Sequence, residues 1–341
     1  MNSFGRIFRV TIFGESHGES VGINIDGVPA GLPLNVEDFL EDMERRKGGK
    51  QKGTTPRQED DLPIFKSGLF NGHTTGAPVT ILFENNNTRS GDYQKQRAVP
   101  RPGHADFVAN VKYGGFEDYR GGGHFSARLT AGIVAAGVIA KKLLQHLTSK
   151  TSEVTVVSTI TEVAGESDVE KGLQKAIDAK DTVGGIVECR VNGLPTGLGE
   201  PFFDSVESVL AHAVFAIPAV KGIEFGSGFT AAKMFGTEHN DAILDDTGKT
   251  GTNHAGGIVG GISNGNELVF RIAIKPTSST PKEQQTWNWE TKQIESFSVK
   301  GRHDLCVALR APVILEAMTA IVLADLAIAE QRIPRIIQHN I

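Results

Sequence analysis

The sequence predicts an α+β fold in one compact domain spanning 1–341. Predicted strands and helices follow one another without the regular alternation that builds a parallel sheet. No repeat of 20 to 50 residues is visible, and no linker rich in Pro or Ser divides the chain. No G-x-G-x-x-G follows a strand with an acidic residue at the required distance, which argues against a dinucleotide-binding fold. A chain of this length buries a substantial core.

Runs of β-branched, apolar and aromatic residues predict the strands. The first strand is predicted over 8–13 and ends at Gly14, so we expect a loop to follow it. The other strands are predicted over 78–83, 153–161, 183–191, 221–225 and 268–274.

Apolar residues at helical spacing predict the helices. A helix over 36–47 has Asn35 as its N-cap and Gly48 and Gly49 as its stop. Further helices are predicted over 103–113, 126–147, 168–180, 203–213 and 312–330. The helix over 126–147 is rich in small residues that let neighbours pack closely, and its apolar part is too short and too polar to span a membrane. We expect it to be a central, buried helix.

Charge and cysteine content exclude several classes of protein. A net charge of -5 argues against nucleic acid or an anionic membrane surface as a partner, so any anion binding must be local. The basic stretch over 45–57 lacks the interleaved aromatic residues of an RNA-binding surface. Cys189 and Cys306 have no ligand-like spacing, which argues against a zinc site or a disulfide framework, and the N-terminus lacks a secretory signal. We expect a soluble cytoplasmic protein without a metal.

Glycine is unusually frequent, with 40 residues in the chain. This is about 12% against a usual level of roughly 7%, and many of these glycines lie beside His, Arg and Ser. The first such loop is the segment 14–18 (GESHG), which presents His17 at the end of a strand. Histidine can give or take a proton near neutral pH, so His17 is a candidate general acid or base. A turn with a hydrogen-bonded surface histidine is the alternative.

Three further loops also combine glycine with arginine and histidine. The segment 101–106 (RPGHAD) precedes a helix, where backbone N–H groups and Arg101 favour a carboxylate or phosphate; helix capping by His104 and Asp106 is the alternative. The segment 120–128 contains three consecutive glycines, whose entropic cost favours a functional role, and we expect phosphate binding. The segment 300–304 (KGRHD) offers an anion clamp, with a solvated charge run as the alternative.

Two segments complete the set. The segments 254–262 and 275–279 supply flat backbone and hydroxyl donors suited to a planar ring with a phosphate tail. Together these segments predict a polyanionic ligand.

The combination of motifs resembles one known family. GESHG, RPGHAD, KYGGFEDYRGGG, SARLTAG, AVKGIEFG, NHAGGIVGGIS, KPTSS and GRHD follow in the order of the chorismate synthases, from about Gly5 to about Asp325. The resemblance implies anti-1,4 elimination of phosphate and the C6 hydrogen from 5-enolpyruvylshikimate 3-phosphate, with reduced FMN required, as the last step of the shikimate pathway. It also implies helices layered between antiparallel sheets, and a homotetramer. The flavin would be reduced by NADPH on the enzyme itself or by a separate flavin reductase.

The resemblance also assigns residues. His17 would protonate the departing phosphate, His104 would act near flavin N1 and Asp304 near flavin N5. Ser16 and Ser126 would hydrogen-bond within this site. The residues assigned to FMN are His124, Phe125, Ser126, Pro218, Ala219, Gly260, Lys275, Pro276, Thr277, Ser278, Ser279 and Arg302. Those assigned to substrate or NADPH are Arg46, Lys52, Arg101 and Arg128.

Three residues depart from the family pattern. His124 and Lys52 stand where Arg is common, so their contacts with anions lack the fixed fork of a guanidinium. Leu305 stands where Pro is usual. The alternative function is a flavin-binding homologue without turnover, and the presence of both His17 and His104 counts against it.

Overall fold

The computed structural model describes residues 1–49, 52–55, 57, 59–88, 97–148, 152–299 and 303–338. The strands are β1 (Ser3–Phe4), β2 (Arg9–Gly14), β3 (Ser20–Asp26), β4 (Ile64–Ser67), β5 (Leu69–Phe70), β6 (His73–Thr74), β7 (Val79–Glu84), β8 (Thr155–Val163), β9 (Gly185–Asn192), β10 (Val220–Phe225), β11 (Ile258–Val259), β12 (Ile262–Ser263), β13 (Leu268–Ile274), β14 (Gln284–Asn288) and β15 (Gln293–Phe297). The helices are α1 (Glu37–Arg46), α2 (Asp106–Tyr113), α3 (Thr130–Leu144), α4 (Val169–Ala179), α5 (Val206–Val214), α6 (Gly236–His239) and α7 (Ala311–Ala329).

Two antiparallel sheets form the outer layers. The first has the strand order β1-β2-β3-β7-β4 and the second the order β10-β13-β9-β8. Helix α3 packs on β3 and β7 of the first sheet, and α7 packs on β8 and β9 of the second. The two helices also pack along each other. The predicted α+β arrangement, with helices layered between antiparallel sheets, is therefore confirmed.

Small residues bring the two central helices together, as predicted. A Cβ added at Gly137 of α3 would overlap with the Cα and Cβ of Ala317 in α7. Because Gly137 has no side chain, the two helix backbones approach more closely there than alanine would allow.

The segment Val307–Ala329 is apolar and long enough to cross a membrane, with a mean hydropathy of 1.9, but 94% of that apolar stretch is buried inside the protein. Two carboxylates on α7 bind other elements. Glu316 accepts hydrogen bonds from Arg45 and Lys141, and Asp325 accepts from the backbone N–H groups of Ile7 and Phe8. Helix α7 is therefore a core helix.

Several predicted boundaries change for local reasons. The helix predicted over 103–113 begins at Asp106, because Gly103 has a φ of 71° in a turn. The helix predicted over 126–147 begins at Thr130, after a 3₁₀ turn capped by the Ser126 hydroxyl. The helix predicted over 203–213 begins at Val206, because Ser205 is its N-cap.

The predicted N-cap Asn35 lies one residue before the N-cap position of α1, Val36, and its side chain still bonds the first turn. Its Oδ1 accepts from the Asp38 N–H at 3.1 Å, while the Asp38 carboxylate accepts from the Asn35 N–H at 2.9 Å. This reciprocal pair satisfies two backbone donors at the start of the helix.

Candidate active site

The loop between β2 and β3 holds His17 in the protein interior. The Asn85 side chain, which follows β7, donates to the carbonyl oxygens of Glu15 at 3.0 Å and Gly18 at 2.9 Å. The Ser16 N–H donates to the Gly123 carbonyl at 3.1 Å. His17 itself is 8% exposed. The alternative of a surface histidine is therefore wrong.

The side chain of Arg57 places a positive charge beside this loop. Its guanidinium donates to the Ser16 hydroxyl at 3.1 Å and to the Ser16 carbonyl at 3.2 Å, and Glu59 holds it through two hydrogen bonds of 2.9 and 2.7 Å. Burial lowers the pKa of the His17 imidazole, and the positive charge of Arg57 lowers it further. Neutral His17 is thus favoured in the ligand-free protein, and a bound anion would favour the protonated form.

His104 lies in the turn before α2 and forms a triad with Arg101 and Asp106. Its Nδ1 lies 2.5 Å from Asp106 Oδ1, and Arg101 donates to both Asp106 oxygens at 2.7 and 2.8 Å. The Arg101 Nη2 also lies 3.0 Å from His104 Nδ1. Because the carboxylate can only accept, we assign the Nδ1 proton to the bond with Asp106, which leaves Nε2 as the acceptor.

The charges in this triad fix its protonation. Burial lowers the pKa of His104, and the hydrogen bond to Asp106 offsets only part of that effect. Burial works to raise the pKa of Asp106, but hydrogen bonds from Arg101 and His104 outweigh it and lower that pKa below the usual range. Asp106 is therefore an ionised group that orients His104. The capping interpretation missed this role.

Asp304 lies beside the start of the last helix. Its carboxylate accepts from the Thr55 N–H at 2.8 Å and from Arg310 at 3.1 and 2.5 Å. Burial lowers the pKa of the neighbouring His303 to about 4, and the charge of Arg101 contributes. Of the segment predicted as an anion clamp, the structure describes only His303 and Asp304, which are half-buried and buried, and Asp304 is paired with Arg310.

Asp61 joins two of the predicted substrate-binding arginines. It accepts from Arg46 at 2.5 Å and from Arg128, and the side chains of all three are almost fully buried. Burial works to raise the pKa of Asp61, but the two guanidinium groups outweigh it and lower that pKa. Among the described residues, the buried Nε of Arg46 has no hydrogen-bond partner.

Arg46, Asp61 and Arg128, together with several of the other side chains described above, line a cavity of about 160 Å³, which we call the cationic cavity. Its wall contains six basic and three acidic side chains besides His303, so basic side chains predominate there within an acidic protein. The residues that line it are Ser16, Arg46, Lys47, Gly48, Thr55, Arg57, Glu59, Asp61, Arg101, Gly121, Ser126, Ala127, Arg128, Thr277, His303, Asp304 and Arg310.

A second cavity of about 420 Å³, the apolar cavity, lies between the first sheet and the end of α5. Its walls are mostly apolar and include the predicted FMN residues His124, Phe125, Ser126, Pro218, Ala219 and Lys275. Ser126 lines both cavities. The volume is in the range of small-molecule sites. The arrangement suits a planar ring that ends next to a polyanion.

Other predicted residues lie elsewhere. Pro276 lines neither cavity. Ser278 donates to the Gly103 carbonyl at 2.7 Å, and Ser279 accepts from Arg101 at 3.2 Å, so both support the 101–104 turn. Gly260 lies in the turn between β11 and β12, and Lys52 is exposed with its Nζ 3.4 Å from Gln174. Arg302 lies outside the described residues.

Neither His17 nor His104 is among the residues that line the cationic cavity. Both contact the glycine loop over 121–123, whose first residue does line it. His104 lines a small adjoining pocket together with Gly122 and Phe125.

The sequence interpretation gave no role to Arg57, Glu59, Asp61 or Arg310. The available signal was the run Glu59-Asp60-Asp61 after the basic stretch, because acidic residues so close to several arginines indicate pairing. Among the described residues, no group of three His, Cys, Asp or Glu side chains is arranged to hold a metal ion.

Comparison with known proteins decides the family. The family model for chorismate synthase matches residues 8–328. The chain belongs to the chorismate synthase family. Family membership and the relatives below support chorismate synthase activity, which is that of a carbon–oxygen lyase acting on phosphates, over a homologue without turnover.

Two curated chorismate synthases show how far the similarity extends. One from Chitinophaga pinensis is 70% identical over 339 residues, which is 99% of this chain and 100% of the relative. One from Dehalococcoides mccartyi is 46% identical over 362 aligned positions, covering 99% of this chain and 100% of the relative. A crystal structure of chorismate synthase matches with a TM-score of 0.72 at 24% identity, covering 96% of this chain and 93% of that chain, which supports the fold.

Proposed function

We propose that this chain converts 5-enolpyruvylshikimate 3-phosphate into chorismate and phosphate in the cytoplasm, with reduced FMN bound. The observation that carries the proposal is the junction of the two cavities at Ser126, where a cationic wall meets an apolar one. Such a junction accommodates a polyanion beside a flat ring. Family membership supports the same reaction.

The substrate would lie in the cationic cavity. It carries two carboxylates and a phosphate, and Arg46, Arg101 and Arg128 would supply positive charge held in place by hydrogen bonds to protein groups. Arg57 and Arg310 add positive charge in the same wall. The role of Lys52 rests on the family resemblance alone.

The apolar cavity fits FMN. Phe125, Pro218 and Ala219 would contact the ring, and His124 and Lys275 would lie towards its charged groups. Burial lowers the pKa of the Lys275 ammonium, and nearby Lys221 lowers it further, so a phosphate between them would relieve their repulsion. The roles of Gly260, Pro276, Ser278, Ser279 and Arg302 rest on the resemblance. Bound reduced FMN supplies an electron-rich ring next to a reaction that has an unactivated C–H bond and a poor leaving group.

Overall, the C3–O bond breaks with its electron pair leaving on the phosphate, and the C6 hydrogen leaves as a proton whose electron pair enters the new double bond, so there is no net oxidation. His17 would give its proton to the departing phosphate. A phosphate near His17 opposes the charge of Arg57 and raises the pKa of the imidazole, so the proton is available when the substrate is bound. His104, oriented by Asp106, and Asp304, held by Arg310, would govern proton transfer beside the ring.

Replacing His17 by Ala should lower turnover by about 10²- to 10⁴-fold, because a general acid is lost. FMN affinity, measured by fluorescence titration, should change little, since His17 does not line the apolar cavity. Wild-type turnover in His17→Ala would contradict the assigned role.

An anaerobic assay with purified protein, chemically reduced FMN and 5-enolpyruvylshikimate 3-phosphate tests the function. We expect chorismate and phosphate in equal amounts. Absence of chorismate, with FMN and substrate bound, would refute the assignment and favour a homologue without turnover.

The source of electrons and the assembly are further parts of the proposal. Mixing oxidised FMN, protein and NADPH without oxygen distinguishes the two sources, because flavin bleaching occurs only if the chain is its own reductase. Without bleaching, a separate flavin reductase is required.

We propose a homotetramer on the family resemblance, which light scattering can test.

A further inference from the structure

The three consecutive glycines at 121–123 have an unusual backbone conformation. Their φ values are 59°, 86° and 51°, all in the left-handed region that favours glycine. The loop is fixed at both ends. The Asp118 carboxylate accepts from the Arg120 N–H at 3.0 Å, and the Gly123 carbonyl accepts from the Ser16 N–H at 3.1 Å.

Each of the first two glycines lies against a different histidine. A Cβ at Gly121 would overlap with Cε1 and Nδ1 of His17 and lie 3.1 Å from the Ser16 hydroxyl. A Cβ at Gly122 would lie 3.2 Å from Cε1 and Nε2 of His104. The space that side chains would occupy is therefore filled by two imidazole rings.

The third glycine has another function. A Cβ at Gly123 would overlap with the backbone carbonyl oxygen of Asp118, five residues earlier in the chain. Gly123 thus allows the loop to close, whereas Gly121 and Gly122 allow the histidines to approach.

We propose that Gly121 and Gly122 are positioning residues that set the places of His17 and His104 relative to the cationic cavity. Adjacent Cα atoms are about 3.8 Å apart, so two rings resting on adjacent glycines are brought to one small region. Gly121 also lines the cavity, so the backbone that contacts the His17 ring borders the cavity as well. This requirement explains the glycines at 121 and 122 without the phosphate contact that the sequence suggested.

The proposal rests on the catalytic roles proposed for the two histidines, and substitutions at the glycines test it. Gly121→Ala should lower turnover by about 10²-fold, as expected for a catalytic group displaced by about 1 Å. It should also move the pH dependence of turnover and the His17 imidazole signal in NMR spectra. Gly122→Ala should lower turnover by less than about tenfold and should move the His104 signal. The effect is smaller because a Cβ at Gly122 would approach the His104 ring to 3.2 Å without overlapping it.

Gly165→Ala is the matched control. Gly165 also has a positive φ, 77°, but a Cβ there would meet no atom within 4 Å. This variant carries the same kind of backbone strain without a contact, so its turnover and its histidine signals should equal those of the wild type. Equal behaviour of Gly121→Ala and Gly165→Ala would overturn the proposal.

A double-mutant cycle separates positioning from general damage. In a His17→Ala background the overlap is gone, so Gly121→Ala should cause much less additional loss of thermal stability than it does in the wild type. An equal loss in both backgrounds would show that the glycine serves only the backbone. If His17→Ala keeps full turnover, the catalytic role of His17 fails, while displacement of the His17 signal in Gly121→Ala still decides the positioning claim.

Discussion

Asp61 shows how one carboxylate can organise two cations. It lies between Arg46 and Arg128, and all three side chains are buried. A buried charge without a partner is costly, so the two guanidinium groups keep their places because the carboxylate is there. The triad carries one net positive charge into the wall of the cationic cavity.

Replacing Asp61 by Asn should destabilise the fold by about 3–5 kcal/mol, because two buried guanidinium groups lose their counter-charge. It should also raise the KM for substrate, since Arg46 and Arg128 are no longer fixed. Urea unfolding and steady-state kinetics measure the two effects.

Asp60→Asn provides the comparison, because Asp60 is exposed and its hydrogen bond within the described part of the chain is a long one, 3.5 Å from the Asn86 side chain. It should leave both stability and KM near wild type. If the variants at 60 and 61 behave alike, the triad does not organise the cavity.

Candidate residues can be named from local sequence more easily than their neighbours in the fold. His17, His104 and Asp304 stand in recognisable loops, so local sequence is enough to name them. Arg57 and Arg310 act through contacts with Ser16 and Asp304 that depend on the tertiary fold, and no local pattern encodes those contacts.

At the level of elements, the pair of α3 and α7 supports the whole site. Helix α3 follows the loop that contains Ser126, and α7 follows Asp304, so the spacing of these helices fixes the distance between two walls of the cationic cavity. Gly137 sets that spacing by its contact with Ala317.

Gly137→Ala should therefore destabilise the protein by about 1–3 kcal/mol, the usual effect of overpacking a core. Alanine has the higher helix propensity by about 1 kcal/mol, so a loss of stability would show that packing outweighs propensity. Equilibrium unfolding in urea measures the difference.

Gly236→Ala is the control for this substitution. Gly236 is also helical, in α6, but a Cβ there would meet no atom within 4 Å. This variant should be neutral or slightly stabilised. A stabilised Gly137→Ala would contradict the close packing of α3 and α7.

Elements with strong local patterns were predicted well. Strand β13 was predicted over the residues it occupies, and α7 differs by one residue at each end. The central strand β3 was missed, because glycine and asparagine, which are uncommon in strands, lie between its buried Val21, Ile23 and Ile25. Its place between β2 and β7 supplies the order that its own sequence lacks.

At the scale of the whole molecule, charge is divided between an acidic exterior and a cationic interior site. The chain has a net charge of -5, yet six basic side chains line one cavity. Three histidines beside these cations, His17, His104 and His303, all have lowered pKa values, with burial as the first cause in each. The site is therefore built to keep them neutral until an anion binds.

This arrangement predicts that the protein loses stability as pH falls from about 6.5 towards 4. In the folded protein the pKa of His303 is lowered from 6.5 to about 4, so within this window the unfolded chain binds the proton first. The contribution of His303 is complete above pH 6.5 and lost at pH 4, and it amounts to at most about 3 kcal/mol. His303→Asn cannot titrate, so its urea unfolding free energy should fall less steeply across the window, with far-UV circular dichroism at pH 7 confirming a native fold. A slope equal to that of the wild type would mean that His303 is not held neutral by burial beside Arg101.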